Sequence, residues 1–183
     1  MKEDTIQNFS HHFLIAMPSL IDPLFRGAVV YIYDHDEQGT MAFVINKPMQ
    51  ITVGDVLRQL ALEIEDESVN DRLILQGGPV AKEQLYIMQY GDPEAPHPFT
   101  LSNPQEVMQM LAKGEQKDNL LAFLGYTGWT PGQLESEIKN NDWLICPASR
   151  EIMFDTPVEK RFEKSIQSLG IDWNQLTSMS GNV

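Results

Sequence analysis

The sequence predicts a mixed α+β fold, and three observations predict it. Two near-continuous apolar runs, Ala28 to Tyr33 and Thr40 to Ile45, are rich in β-branched and aromatic residues and are joined by the turn-forming Asp34 to Gly39, which together read as a β-hairpin. Capping signatures at Thr52, Asn103, Thr130 and Thr156 open helices that are interleaved with further strand-like runs. Hairpins recur, which favours α+β over an all-parallel sheet. Neither arm of the central hairpin alternates cleanly with polar residues, so both faces are expected to be covered, with the other elements packed around it.

Taken in order, Phe13 to Met17 is a first strand ended by Pro18, and Asp22-Pro23 marks a turn before the hairpin. Residues 1–12 are expected to form a flexible tail, and residues 13–183 a single domain. After the hairpin, Thr52 and Asp55 form a capping box, and Val53, Val56, Leu57 and Leu60 follow at helical spacing. Glu63 to Asn70 reads as a solvated linker. Arg72 to Gln76 and Gln84 to Tyr90 read as a second hairpin, turned by Gly77-Gly78-Pro79.

The proline-rich segment from Gly91 to Phe99 is expected to be a loop. Asn103-Pro104-Gln105-Glu106 then starts a helix running to about Lys113, with Gly114 just past its end. Asn119 to Tyr126 is a buried strand, Gly125 to Gly132 a glycine-rich loop, and Thr130 to Gln133 a capping box before a helix bearing Leu134 and Ile138. Trp143 to Cys146 is a strand and Ile152 to Phe154 another. Thr156-Pro157-Val158-Glu159 opens the last long helix, which stops at Gly170, and a short helix starts at Asp172.

A chain of 183 residues, 42% of them hydrophobic, supports one domain with a sizeable core. Lys and Arg total 13 against 26 Asp and Glu, a net charge of −13 that repels polyanions, so direct DNA binding is not expected. The N-terminal stretch has acidic and amide residues where a signal peptide carries basic ones, and no apolar run approaches the roughly 18 residues of a membrane helix. A soluble cytoplasmic protein with no membrane partner is the expectation. Cys146 is the single cysteine, which rules out an internal disulfide. Oligomeric state is not legible.

Five stretches resemble the AlgH/YqgE family of bacterial proteins: FLIAMPSLIDPLF, VVYIYDHDEQGTMAFVINKP, QGGPV, LGYTGWTPGQLESEIKNNDWL and IMFDTPVEKRFEKSIQSLG. They span nearly the whole chain in the family's order. The resemblance implies a single domain whose mixed, largely antiparallel sheet is partly curled into a flattened barrel and flanked by helices. It implies no catalytic residues. Some members are described as regulators of alginate synthesis genes, which implies a pathway effect. Where the family continues after GGPV to Gly-Phe and then a His, this chain has Leu85, Tyr86 and Gln89, so no role of that histidine carries over. The family's glycine in the second hairpin arm is Ala42 here, and its late tryptophan is Phe162.

Candidate chemistry is sparse. The tip Asp34 to Gly39 opens like a calcium loop, but its twelfth position is Ile45 and its flanks are strands, so a solvated acidic turn is the better reading. His35 with a carboxylate lacks the paired spacing of a transition-metal site. Cys146 lies between apolar residues and Pro147 and reads as a small buried hydrophobe. His11 and His12 fall in the expected tail and His97 in a loop. Asp22, His35 and Asn46 are polar residues near the central strands, and Asn46 reads as a strand end. The segment LESEIKNN reads as the solvated side of a helix. Tyr126, Trp129 and Trp143 suit core packing, with stacking on a planar ligand as the alternative. No catalytic set, metal site or cofactor motif is recognised.

One stretch suggests a ligand. Gly125, Tyr126, Thr127, Gly128, Trp129, Thr130, Gly132 and Gln133 combine glycines with a helix start, where unpaired N–H groups and the helix dipole favour an anion. Against this, Thr130 and Gln133 can cap the helix themselves and no lysine follows Gly132. Two functions follow: a non-enzymatic regulatory or binding protein acting through a protein partner or small ligand, or an enzyme or nucleotide- or anion-binding protein, with a hydrolytic reaction as one form, using loop 125–132.

Overall fold

The computed structural model describes residues 8–115 and 118–174. Its contacts divide the chain into two compact units, 1–46 with 127–183, and 47–126, where the sequence led to an expectation of one domain. The α+β class is as expected, and the sheet is not closed.

In the first unit the central hairpin is formed by β2 (Val29–Asp36) and β3 (Gly39–Val44), paired from Val30↔Val44 to Asp36↔Gly39 with a bulge between Ile32 and Asp34. It is longer than its apolar runs suggest because Asp36 turns the tip itself, its carboxylate accepting the Gln38 N–H at 2.7 Å. β1 (His12–Ala16) pairs antiparallel with β2 and with β9 (Trp143–Pro147). β3 also pairs with the end of β8 (Leu120–Trp129), from Thr40↔Trp129 to Ala42↔Thr127.

Both faces of the hairpin are covered, as the lack of polar alternation predicts. Val30, Ile32, Ala42 and Val44 join Trp129, Trp143 and Leu134 in one core cluster, Leu134 coming from α3 (Gln133–Lys139). α4 (Arg161–Ser168) packs on β1 and β2. Residues 8–12, placed in the tail by the sequence, are held: Phe9 is buried, His12 opens β1, and the His11 ring bonds to the Tyr31 hydroxyl. Residues 1–7 lie outside the described residues.

In the second unit, β4 (Pro48–Thr52) leads into α1 (Val53–Gln59), whose start carries the predicted capping box: Thr52 Oγ1 accepts the Asp55 N–H, and Asp55 Oδ2 accepts the Thr52 N–H. The expected second hairpin is not formed. β5 (Leu73–Gln76) pairs with β4 and runs parallel to β8, whereas β6 (Val80–Tyr90) pairs with β8 through Ala122 and Leu124, residues that β5 also faces. The two glycines therefore carry the chain across β8 instead of folding it back on β5. The proline-rich loop ends in an unforeseen strand, β7 (Phe99–Ser102), paired with β6.

α2 (Pro104–Ala112) begins at the predicted cap, with Asn103 Oδ1 accepting the Gln105 N–H at 3.0 Å. The expected linker 63–70 contains a short helical turn at Glu67–Val69, and Val69 is buried.

Two further readings are corrected. Ile152 to Phe154 is not a strand but part of a wide helical turn, Glu151–Asp155. The last helix opens as a tight turn at Val158–Lys160 before α4, and stops at Gly170, whose φ is 67°. The helix expected from Asp172 falls for the most part outside the described residues, which end at Asn174. Among the described residues no helix is long and apolar enough to cross a membrane.

Candidate functional site

The stretch singled out for a ligand, Gly125 to Gln133, is not a loop. Gly125, Tyr126, Thr127, Gly128 and Trp129 are the end of β8, with Thr127 and Trp129 buried. β-ladder pairing to β3 takes Thr127, Gly128 and Trp129. Gly125 has φ 73°, and a Cβ there would lie 2.6 Å from the Gly78 carbonyl oxygen and 2.9 Å from that of Val80. Its lack of a side chain permits the 77–82 segment to cross β8 closely. Tyr126 meets Tyr86 edge-on at 5.8 Å.

The Thr130–Gln133 box is half formed. Gln133 Oε1 accepts the Thr130 N–H at 3.1 Å, while the Thr130 hydroxyl donates to the same oxygen. Gly132, with φ 78°, begins α3 with open space where a Cβ would be. The concavity beside it, about 550 Å³, is walled by Asp36, Glu37 and Glu135 against Lys139. Three carboxylates to one ammonium repel an anion at this place.

Two side chains near this stretch, Glu137 and His35, have structural roles that the sequence reading missed. Glu137, in the segment read as solvated, accepts the indole N–H groups of both Trp129 and Trp143 at 2.8 Å on Oε2, and Gln133 Nε2 on Oε1. The two indoles lie edge-to-face at 5.9 Å, with Phe25 against both, so they are core. His35 is not part of a solvated turn: it is 3% exposed, its Nδ1 lies 2.7 Å from Thr40 Oγ1, and its Nε2 lies 3.5 Å from Glu135 Oε1.

The other polar residues are absorbed in the same way. Asn46 accepts the Val29 N–H and donates to the Gly27 carbonyl, each at 2.8 Å, clasping the base of the hairpin. Buried Arg161 donates to the carbonyls of Ile45 and Thr156, and burial pulls its guanidinium down to about 10. Asp22 caps a turn by accepting the Leu24 N–H. Burial pushes the Cys146 thiol up, the opposite of what activates a nucleophile. Among the described residues no three His, Cys, Asp or Glu side chains are grouped to hold a metal ion.

A sizeable cleft lies within the second unit, where the sequence reading placed no site. It measures about 730 Å³, inside the range of roughly 300–1,000 Å³ typical of ligand pockets. α1 presents Val56, Gln59 and Leu60 to it, and α2 presents Gln105, Met108 and Gln109. Each set has the i, i+3, i+4 spacing of one helix face. Leu85 of β6 and Leu124 of β8 supply further aliphatic wall, and Lys82 and Glu83 the charged rim.

Ile51, Val56, Leu62, Leu85 and Leu124 rest on the buried core of this unit while remaining only partly buried themselves. Leu60 is 54% exposed. Leu85 stands where the resemblance led to an expectation of glycine, so the substitution adds an aliphatic side chain to the cleft. Tyr86 meets Tyr126 edge-on, and Gln89 accepts a hydrogen bond from the Ser102 hydroxyl across β6 and β7. The helical spacing of Val56 and Leu60 is visible in the sequence. What it does not show is that, among the described residues, the far end of that face is left exposed at Leu60.

A sequence profile described as AlgH-like matches residues 13–174. A UPF0301 protein from Coxiella burnetii is 39% identical over 173 residues, 94% of this chain and 96% of the relative. One from Sodalis glossinidius is 40% identical over 185 residues, covering 96% and 99%. The solution structure of the AlgH protein from Pseudomonas aeruginosa superposes with a TM-score of 0.76 at 36% identity, over 97% of each chain. A protein from Corynebacterium diphtheriae shares the fold at 17% identity, with a TM-score of 0.68 over 88% of this chain and 87% of that one.

Proposed function

The chain belongs to the AlgH-like family, and from that premise we propose that it is a binding protein that acts by contact with a partner or small ligand, through the cleft of residues 47–126. The observation that carries this reading is the run of partly buried aliphatic side chains, ending in half-exposed Leu60, that lines this concavity of about 730 Å³. Apolar surface left in a concave site is what an apolar group covers with a gain of roughly 25 cal/mol per Å². Regulation by such contact requires no DNA-binding surface of its own.

The test uses the neutral apolar dye N-phenyl-1-naphthylamine. The parent protein is expected to bind it saturably with enhanced fluorescence, and Leu85→Glu, checked for folding by circular dichroism, to lose most of that enhancement. Equal enhancement in both would place the dye elsewhere and remove the support for this cleft.

A further inference from the structure

We propose that the occupant of this cleft is a cationic amphipathic helix of a partner protein, an inference that rests on the binding role just proposed for the same site. The walls suit a helix. Two helices each turn one i, i+3, i+4 face toward the gap, and Leu85 and Leu124 add apolar surface from the strands. α1 and α2 have 7 and 9 residues, and at about 1.5 Å per residue each wall is roughly 10–14 Å long, two to three helical turns. A helix laid there inserts apolar side chains at i, i+3 or i+4, and i+7, the usual pattern of helix-in-groove recognition. Gln59, Gln105 and Gln109 offer uncharged hydrogen-bonding groups at the edges of that seam.

Charge selects among the occupants that apolar contact alone would allow. Residues 47–126 hold 6 Lys and Arg against 12 Asp and Glu, a net −6 within a chain of net −13. A second copy brings another −13 to the contact, and an anionic lipid surface or a fatty carboxylate is repelled by the same field. A helix with an apolar stripe flanked by Lys or Arg is attracted by the net −6 of this unit; the rim itself carries one charge of each sign, exposed Lys82 and Glu83, of which Glu83 can meet such a flank.

The probes are two model peptides of about four helical turns with the same leucine stripe, one with lysine and one with glutamate at every other position, together with the neutral dye. The lysine peptide is expected to displace the dye, with an affinity that falls as salt is raised. Leu60→Asp, a change at an exposed position, is expected to weaken the lysine peptide about ten-fold or more. Glu83→Lys is expected to weaken the lysine peptide several-fold more than it weakens the neutral dye, and equal weakening of both would contradict the selection by charge. Dye binding without displacement by the lysine peptide, or equal affinity for the glutamate peptide, would overturn the cationic-helix inference and leave the cleft as a binding site. Failure of the dye and both peptides would overturn the binding role as well. A dimer in sedimentation that the dye dissociates would make a second copy the occupant and would also overturn the inference.

Discussion

Glu137 shows at the residue scale how a charge can be read wrongly from sequence. In LESEIKNN it has the spacing of a solvated helix face, yet one of its oxygens takes two indole N–H groups from the core. Glu137→Ala should cost about 1–3 kcal/mol for each buried indole left unpaired, measured by urea unfolding, and a double variant with Trp143→Phe should be less than additive. Additive losses would mean that the carboxylate and indole act independently. Phe43 was read correctly as core because both hairpin arms lack polar alternation; it is fully buried. Phe43→Ala should lower stability by about 3–5 kcal/mol, and unchanged thermal stability would contradict its place in the core. His35 was less legible: its flanking acids mark a turn, but the bulge after Ile32 alters the alternation that a regular strand would impose.

At the element scale, short-range signals were the readable ones. Caps at Thr52 and Asn103 and the stop at Gly170 involve residues within a turn of one another, so sequence contains both partners. The path of β6 across β8 depends on a residue some 45 positions away, Gly125, and pairing at that separation leaves no local pattern. Gly125→Ala should destabilise the protein by about 1–3 kcal/mol or more, through both its positive φ and its carbonyl clashes. Gly132→Ala meets no neighbouring atom and should cost about 1 kcal/mol from backbone conformation alone. Equal losses in calorimetry would show that the crossing does not require glycine. The α1 cap also predicts a pH effect. Hydrogen bonds from Thr52 hold the Asp55 carboxyl below its ordinary value, so its contribution is present above the unfolded-state pKa and is lost as pH falls through the lowered folded one. Protection of the Thr52 and Asp55 amides, measured against the intrinsic exchange rate at each pH, should fall across that acid window, and Asp55→Asn should remove that change.

For the whole molecule, composition and fold class were legible, because charge sums and periodicity need no knowledge of which elements meet. The cleft of residues 47–126 was not, since it depends on how far the other described residues leave Leu60 and Leu85 accessible, and that spatial relation leaves no local pattern in sequence. With a net charge of −13, the chain alone is expected to give no sequence-specific retention of duplex DNA at physiological salt; a gel shift that survives competitor DNA and has a steep salt slope would contradict this. The central claim is that contact occurs in the cleft of residues 47–126. Methyl-resolved NMR of the protein labelled at Ile, Leu, Val and Met, titrated with the neutral dye, tests it most directly. The account predicts saturable shifts at Leu60, Leu85, Met108 and Leu124 with Ile138, Ile145 and Ile166 unmoved; shifts centred on the latter three, with the cleft methyls unchanged, would contradict it.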